Sequence, residues 1–332
     1  MCDRVHALDG LRGLAVLAVM LFHSGFRWVH GGWLGVDVFF VLSGYLITGI
    51  LLSPGWTWRS FLWRRMTRLY PALLVCVTVV GAATATAGLT VWAEAAGAVY
   101  LTTPLVLFGV APLSWPSWHL WSLAVEAQFY AAWGMLMLSG RRWPRHRLAA
   151  ACLALAAASM AGKVAILVIA HDWWTAYAFT PVRVEGLLFG AAVAAGLRLP
   201  TKRVALACAA SFLAAAVVAT DSGHPVQALG ITAAVVATGT AIAAIRDGQA
   251  PWLAASLSSA ALTWLGVRSY SLYLWHWPVF YALAGPDGVH HPGPWILGAW
   301  PIAIALAWAS HRWVEVPAQA WLRGRPRTLA TV

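Results

Sequence analysis

The chain is a series of long apolar runs separated by short polar or basic segments. A helix that crosses a bilayer needs about 20 consecutive apolar residues, and most of the runs approach this length. The pattern therefore predicts an all-α polytopic membrane protein, with one transmembrane domain over residues 1–322 and a short basic tail over 323–332. Twelve runs are present, at 8–27, 33–53, 70–92, 95–111, 119–138, 148–170, 182–197, 204–220, 226–245, 252–265, 269–284 and 294–314.

The composition excludes other classes of protein. Of the 332 residues, 61% are hydrophobic and only 10% are charged, whereas soluble proteins carry about 25% charged residues. A single soluble domain is excluded, and so is a disordered chain, which needs low hydrophobicity and high net charge. The four cysteines are widely spaced and predict neither a metal site nor a disulfide framework. We expect no bound cofactor.

The distribution of basic residues predicts the orientation. The net charge of +11 would suggest a nucleic-acid partner in a soluble protein, but here the basic clusters lie between apolar runs, where they mark cytoplasmic loops. The clusters at 59–68, 141–147, 198–203 and 323–327 can all be cytoplasmic only if the run at 95–111 is re-entrant or interfacial. The segment 246–267 then also has both ends inside. About ten spans with both termini cytoplasmic are predicted, and no nucleic-acid partner.

The first apolar run carries three ionisable side chains on one predicted helix. Arg12 and His23 are eleven residues apart, which is nearly three helical turns, so they share a face about 16 Å apart along the axis. Asp9 precedes Arg12 by three residues and is placed to pair with it. A neutral imidazole can accept a proton from a hydroxyl, while an arginine holds an anion. The alternative is structural: Arg12 reaches to the interface and His23 bonds a neighbouring helix.

The second run carries Asp37 near its predicted outer end and Ser43 and Tyr45 in its middle. Asp37 is placed to orient His23 or to bind substrate; the alternative is an interfacial aspartate. For Ser43 the adjacent glycine favours a plain helix contact through small residues.

Polar residues form a stripe on the fifth run. His119, Ser122, Glu126 and Tyr130 follow one another at i, i+3, i+7 and i+11, which is one face of a helix. A carboxylate within a span needs a partner, so Glu126 is predicted to face the bundle interior. The alternative is a structural salt bridge to an arginine of another span.

A loop at 59–71 concentrates arginines. If it is helical, Arg64, Arg65 and Arg68 converge at i,i+3 and i,i+4 spacing. Arginine forks suit phosphate groups. Plain positive-inside topology or contact with anionic lipid is the alternative.

Two other runs carry polar groups. On the eleventh run Ser269, Tyr273 and His276 share a face, and the aromatic density there predicts either an acyl pocket or an interfacial belt. Arg183 and Glu185 open the seventh run and are interpreted as an ion-paired helix end.

Six segments in order along the chain resemble the membrane-bound acyltransferase family 3, the integral-membrane O-acyltransferases of cell-surface sugars and some antibiotics. They are LDGLRG (8–13) with His23, GWLGVDVFFVLSGYLI (32–47), RRMTRLYP (64–71), LWSLAVEAQFY (120–130), GVRSYSLYLWHWP (266–278) and VEVP (314–317).

The resemblance implies an enzyme of the bacterial inner membrane. It would move an acyl group from a cytoplasmic acyl-CoA, with acetyl-CoA as the expected donor, to a hydroxyl of a glycan, glycolipid or glycosylated natural product. The family's Arg and His pair corresponds to Arg12 and His23, and its glutamate after Trp-Ser to Glu126. Its donor-associated arginines correspond to Arg64, Arg65 and Arg68. Some relatives carry a fused soluble domain, and the stand-alone form is expected here.

Two function classes remain open from the sequence. An O-acyltransferase would use His23 as general base in direct transfer, which we favour, or as an acylated intermediate. A transporter of acyl donor or lipid-linked sugar would also need buried charges.

Overall fold

The computed structural model describes residues 5–84, 119–139, 143–199, 224–288 and 291–323, and within them every regular element is a helix. Thirteen α-helices are formed in this part of the chain: α1 (His6–Phe22), α2 (Gly35–Leu51), α3 (Trp58–Thr84), α4 (Trp121–Leu138), α5 (Arg145–Ala165), α6 (Trp173–Ala178), α7 (Glu185–Ala194), α8 (His224–Arg246), α9 (Pro251–Leu257), α10 (Ala260–Val267), α11 (Ser269–Gly288), α12 (Trp295–Ser310) and α13 (Val316–Arg323). The prediction of an all-α protein is confirmed for these residues.

The arginine segment is part of a long helix and not a loop. Helix α3 runs from Trp58 to Thr84 through Pro71, so it joins 59–71 to the third apolar run. The segment contains no glycine, and arginine, leucine and methionine are good helix formers, which explains why the helix begins before the apolar run. The expected i,i+3 and i,i+4 spacing of the three arginines therefore applies.

Four helical segments are long and apolar enough to cross a membrane: Val29–Leu51, Trp58–Ala83, Arg145–Ala170 and Ala228–Arg246. A fifth apolar helix, Glu185–Ala194, is shorter. The segment predicted to stay on one side, 246–267, contains two helices of 7 and 8 residues, each shorter than a single crossing. The runs at 95–111 and 204–220 lie outside the described residues, so the count of ten spans stays a prediction.

The distribution of side chains is that of a membrane protein. Large apolar residues point outward, with Leu297 82% and Ile169 80% exposed, while Arg183 and Asp37 are fully buried. Apolar surface of this kind suits lipid, and ionisable groups in such proteins face the bundle interior.

Glycines bring the central helices together. A Cβ on Gly44 of α2 would lie 1.8 Å from the carbonyl oxygen of Leu187 on α7, and one on Gly190 would lie 2.0 Å from that of Val41. The two backbones therefore touch, as expected for small residues at membrane helix contacts. This contact fixes α2, which carries Asp37 and Ser43, against α7.

Candidate active site

A cavity of about 980 Å³ lies between α1, α2, α3, α4 and α11, and we call it the basic cavity. Its volume is at the upper end of the range for small-molecule sites. Twelve of the residues singled out in the sequence line it: Asp9, Arg12, Ser43, Tyr45, Arg64, Arg65, Arg68, Ser122, Glu126, Tyr130, Ser269 and Tyr273. The structure therefore brings together residues that are up to 264 positions apart in the chain (273 − 9).

One end of the basic cavity is cationic. Arg64, Arg65 and Arg68 lie on consecutive turns of α3, and the guanidinium of Arg64 stacks 4.7 Å from the centroid of the Trp56 ring. Arg12 faces the same space from α1, with its Nη1 3.4 Å from Oδ1 of Asp9. The predicted pairing of Arg12 with Asp9 is confirmed.

A second group of polar residues in the cavity consists of hydroxyl side chains that are hydrogen-bonded near the carboxylate of Glu126. The hydroxyl of Ser43 donates to the Glu126 carboxylate, and the Tyr130 hydroxyl donates to Ser43 Oγ at 3.2 Å. Glu126 faces the bundle interior, as predicted. Ser43 is more than a small-residue contact: the adjacent Gly44 makes the close helix approach, and Ser43 binds a carboxylate.

Two aromatic rings lie at the opposite end. Tyr273 on α11 and Phe39 on α2 both line the cavity, with their ring centroids 6.4 Å apart in an edge-to-face arrangement. The Tyr273 hydroxyl donates to the carbonyl oxygen of His119 at 2.7 Å and lies 2.8 Å from Ser122 Oγ. Because the Tyr273 hydroxyl donates its only proton to the His119 carbonyl oxygen, the Ser122 hydroxyl donates to the oxygen of Tyr273. These bonds hold the ring of Tyr273 in place.

Two histidines form a hydrogen-bonded pair next to Tyr273 but outside the cavity lining. Nδ1 of His23, the residue that follows α1, lies 3.0 Å from Nε2 of His276 on α11. Nδ1 of His276 lies 3.0 Å from the carbonyl oxygen of Leu272. We call His23 and His276 the histidine pair.

The Leu272 carbonyl determines which nitrogens carry protons. A carbonyl only accepts, so Nδ1 of neutral His276 is the N–H and its Nε2 carries the lone pair. That Nε2 then accepts from Nδ1 of His23, which leaves the lone pair of neutral His23 on its own Nε2. His276 thus fixes the tautomer that a general base requires.

A third histidine lies beside the pair. The ring centroid of His119 is 5.6 Å from that of His276, and its Nε2 donates to the Leu274 carbonyl at 3.2 Å. Its buried Nδ1 has no hydrogen-bond partner among the described residues. Within these residues no group of three His, Cys, Asp or Glu side chains is placed to hold a metal ion.

Asp37 belongs to a different cluster and does not contact His23. Its Oδ1 lies 2.6 Å from Nη1 of Arg183, and both side chains are fully buried. Arg183 also approaches Glu185 at 3.4 Å, and Glu185 pairs with Lys163. We call Asp37, Arg183, Glu185 and Lys163 the ion cluster. The Asp37 carboxylate therefore faces the interior of the bundle.

Aromatic rings enclose the cation of the ion cluster. The Arg183 guanidinium lies 4.9 Å from the ring centroid of Tyr177, 5.5 Å from Phe40 and 5.6 Å from Trp121. Its Nε also donates to the Tyr177 carbonyl at 2.9 Å. Sequence reasoning correctly paired Arg183 and Glu185 but missed Lys163. Its signal was present, since a lone lysine inside an alanine-rich apolar run needs a partner.

Comparison with known proteins identifies the class of this helical bundle. The sequence matches the profile of the Acyltransferase domain family over residues 5–312, and the chain belongs to this family. The resemblance read from the six motifs is thereby confirmed.

The relatives are larger proteins. The chain is 34% identical over 345 aligned positions to "Putative peptidoglycan O-acetyltransferase YrhL" of Bacillus subtilis (strain 168), an alignment that covers 94% of the chain and 54% of the relative. It is 30% identical over 352 positions to "Peptidoglycan O-acetyltransferase OatA" of Listeria monocytogenes, covering 94% and 55% respectively. The chain thus spans about half the length of these curated relatives. No solved structure matches it.

Proposed function

We propose that the protein transfers an acetyl group from a cytoplasmic acyl-CoA to a hydroxyl of a cell-envelope glycan, with His23 as general base. One observation carries the proposal: the Leu272–His276–His23 chain of hydrogen bonds, which puts the lone pair of His23 on Nε2. The names of the two relatives point to peptidoglycan as the glycan.

The reaction needs one proton acceptor. The acceptor hydroxyl oxygen attacks the thioester carbonyl, the new C–O bond forms and the C–S bond breaks. His23 Nε2 takes the hydroxyl proton and returns it to the departing thiolate of CoA. A positioned base of this kind typically contributes about 10²–10⁴-fold to the rate. His276 acts through His23 and is a positioning residue.

The basic cavity is suited to the donor. Arg64, Arg65 and Arg68 are placed to bind the phosphates of CoA, since arginine forks match phosphate oxygens. With the basic clusters on the cytoplasmic side, this end of the cavity opens to the compartment that contains CoA. Arg12 and Glu126 line the same cavity from α1 and α4 and would contact the pantetheine arm of the donor.

Direct transfer is the simpler of two routes. In the alternative, His23 itself is acylated and hands the group to the acceptor. Protein mixed with labelled acetyl-CoA and no acceptor, then quenched, separates the two. Direct transfer predicts no label on the protein, whereas stoichiometric label on His23 that chases into product would establish the acyl-histidine route.

The activity itself is tested with purified protein in detergent. We expect acetyl-CoA to be consumed only when a peptidoglycan fragment with free hydroxyls is present, with an O-acetyl ester detected on the glycan by mass spectrometry. A transporter would leave acetyl-CoA intact under these conditions, because detergent removes the sealed compartment.

The topology belongs to the same proposal. Ten spans with both termini cytoplasmic in the bacterial inner membrane would put the basic end of the cavity on the CoA side. Reporter fusions at the two termini and within 141–147 test this arrangement, and an external C-terminus would contradict it.

A further inference from the structure

Two aromatic rings from different helices line the part of the basic cavity that is nearest to the histidine pair. Phe39 on α2 is half-buried and faces the cavity, and Tyr273 on α11 faces it from the other side. Their ring centroids are 6.4 Å apart, edge to face. Neither His23 nor His276 lines the cavity, and Tyr273 is the lining residue whose ring contacts both Phe39 and His276.

Tyr273 is in direct contact with the histidine pair. Its ring centroid is 5.5 Å from that of His276, which in turn is 5.2 Å from that of His23. His276 is fully buried and also packs against Phe280, at 5.8 Å between centroids. Side chains are therefore packed behind the tyrosine, where a longer acyl chain would have to extend.

The tyrosine is held rigidly at this position. Its hydroxyl is bonded both to Ser122 Oγ at 2.8 Å and to the His119 carbonyl at 2.7 Å. Phe39 has no comparable polar anchor of its own, since its side chain carries no hydrogen-bonding group. Of the two rings, Phe39 is therefore the one whose size can be changed without releasing a buried polar group.

We propose that Phe39 and Tyr273 form an aromatic partition that limits the acyl group reaching His23 to a short chain, which makes them the residues that set acyl-chain specificity. The inference rests on the proposed function, because it takes the cavity as the donor site. One methylene accepted or rejected by an apolar pocket changes kcat/KM by roughly 10–200-fold. Two aromatic side chains are thus sufficient to separate an acetyl from a butyryl donor.

The test compares acetyl-CoA, butyryl-CoA and hexanoyl-CoA with one glycan acceptor. Wild-type protein is expected to use acetyl-CoA best. Phe39→Ala should raise the butyryl-to-acetyl ratio of kcat/KM by about ten-fold or more, because it removes one ring from the partition. Phe39→Leu is a smaller change that disturbs packing less, and it should also raise the ratio. It replaces Phe39→Ala as the test variant if the alanine variant does not fold.

Phe129→Ala is the matched control. Phe129 on α4 is buried, stacks on Trp133 with 5.5 Å between centroids, and does not line the cavity. Phe129→Ala removes the same side-chain volume as Phe39→Ala and should leave the butyryl-to-acetyl ratio of kcat/KM unchanged. Tyr273→Phe keeps the ring but removes its hydroxyl, and a rise in the ratio smaller than that of Phe39→Ala is expected.

The outcomes separate this inference from the proposed function. Wild-type acetyl transfer with an unchanged ratio in both Phe39 variants would overturn the partition and leave the function standing. Equal use of hexanoyl-CoA and acetyl-CoA by the wild-type protein would do the same. A wild-type protein that transfers nothing from any donor would overturn both.

Discussion

The ion cluster and the histidine pair are both sets of polar side chains inside an apolar bundle. The ion cluster is closed: two carboxylates face two cations, and Arg183 is further enclosed by three aromatic rings. The histidine pair is neutral and directional, and it lies next to a cavity of about 980 Å³. Charges that are fully buried and mutually balanced hold helices together, whereas a directed lone pair beside a cavity is available for chemistry.

Burial and bonding partner distinguish structural polar residues from candidate-site residues within one helix. Asp37 lies on the same helix as Ser43, yet its carboxylate is bound to Arg183 and is fully buried. Ser43 is half-buried and lines the cavity. Two residues of one helix, less than two turns apart, therefore serve two different functions: one belongs to the packing of the bundle and the other to the candidate site.

The largest effect expected on catalysis is that of His23→Ala. Removing the proposed base should lower turnover by about 10²–10⁴-fold while leaving folding intact, because His23 is half-buried and lies at the end of α1. Initial rates with acetyl-CoA and thermal unfolding in detergent measure the two effects. Wild-type turnover in this variant would remove the histidine pair from the mechanism.

The ion cluster should respond in the opposite way. Arg183→Ala leaves Asp37 and Glu185 buried without their shared cation, and breaking a buried pair from one side typically costs about 3–5 kcal/mol. We expect a marked fall in thermal stability and in yield. Arg65→Ala, an arginine of the basic cavity, is the control and should unfold at the wild-type temperature. A stable Arg183→Ala protein that has lost only turnover would contradict a structural role for the ion cluster.

The next effect concerns the tautomer of His23. His276→Leu removes the acceptor for the Nδ1 proton of His23, and an unsatisfied buried donor costs about 1–3 kcal/mol, or roughly 10–100-fold in rate. His276→Gln can offer an amide oxygen near the same place and should recover much of kcat with little change in the donor KM. Equal losses in both variants, with equal loss of stability, would make His276 a packing residue only.

The sequence was sufficient to predict most of the polar residues of the basic cavity, but not their partners. Helical spacing identified the stripe of Ser122 and Glu126 and the three arginines of α3, because that regularity is local to one helix. The partners are non-local. Nothing in the spacing shows that His23 meets His276, 253 positions away, or that Asp37 meets Arg183 and not His23.

The fold divides in the same way. Apolar runs predicted where most helices lie, since burial in lipid is a property of the segment itself. The early start of α3 and the break between α9 and α10 were less visible, because both occur where apolar and polar residues mix. Lys163 carries a weaker sequence signal, because its run is otherwise alanine-rich and has the pattern of a plain packing surface.

A smaller effect is expected at the basic end of the cavity. Charge-assisted hydrogen bonds are worth about 1.5–3 kcal/mol, so Arg65→Ala should raise the KM for acetyl-CoA by roughly ten-fold or more and change the acceptor KM less. Arg59→Ala is the matched control: it lies on the same helix, is exposed and does not line the cavity. If Arg65→Ala changed only the KM for the acceptor, the basic cavity would not be the binding site of the donor.

The smallest effect should follow replacement of the cysteines. Cys76 and Cys152 are free and buried, and neither lines the basic cavity; Cys2 and Cys208 lie outside the described residues. Cys76 donates to the Leu274 carbonyl at 3.5 Å, a bond that a serine hydroxyl can replace. At Cys152 a serine can bond to the carbonyl one turn earlier in its own helix.

Because either route through His23 moves the acetyl group without a thiol of the protein, a variant with all four cysteines changed to serine should keep wild-type turnover. His23→Ala in the same background should lower turnover by about 10²–10⁴-fold, as in the wild-type background. Loss of turnover in a correctly folded cysteine-free protein would instead indicate a thiol carrier, and single Cys→Ser variants would then identify which one.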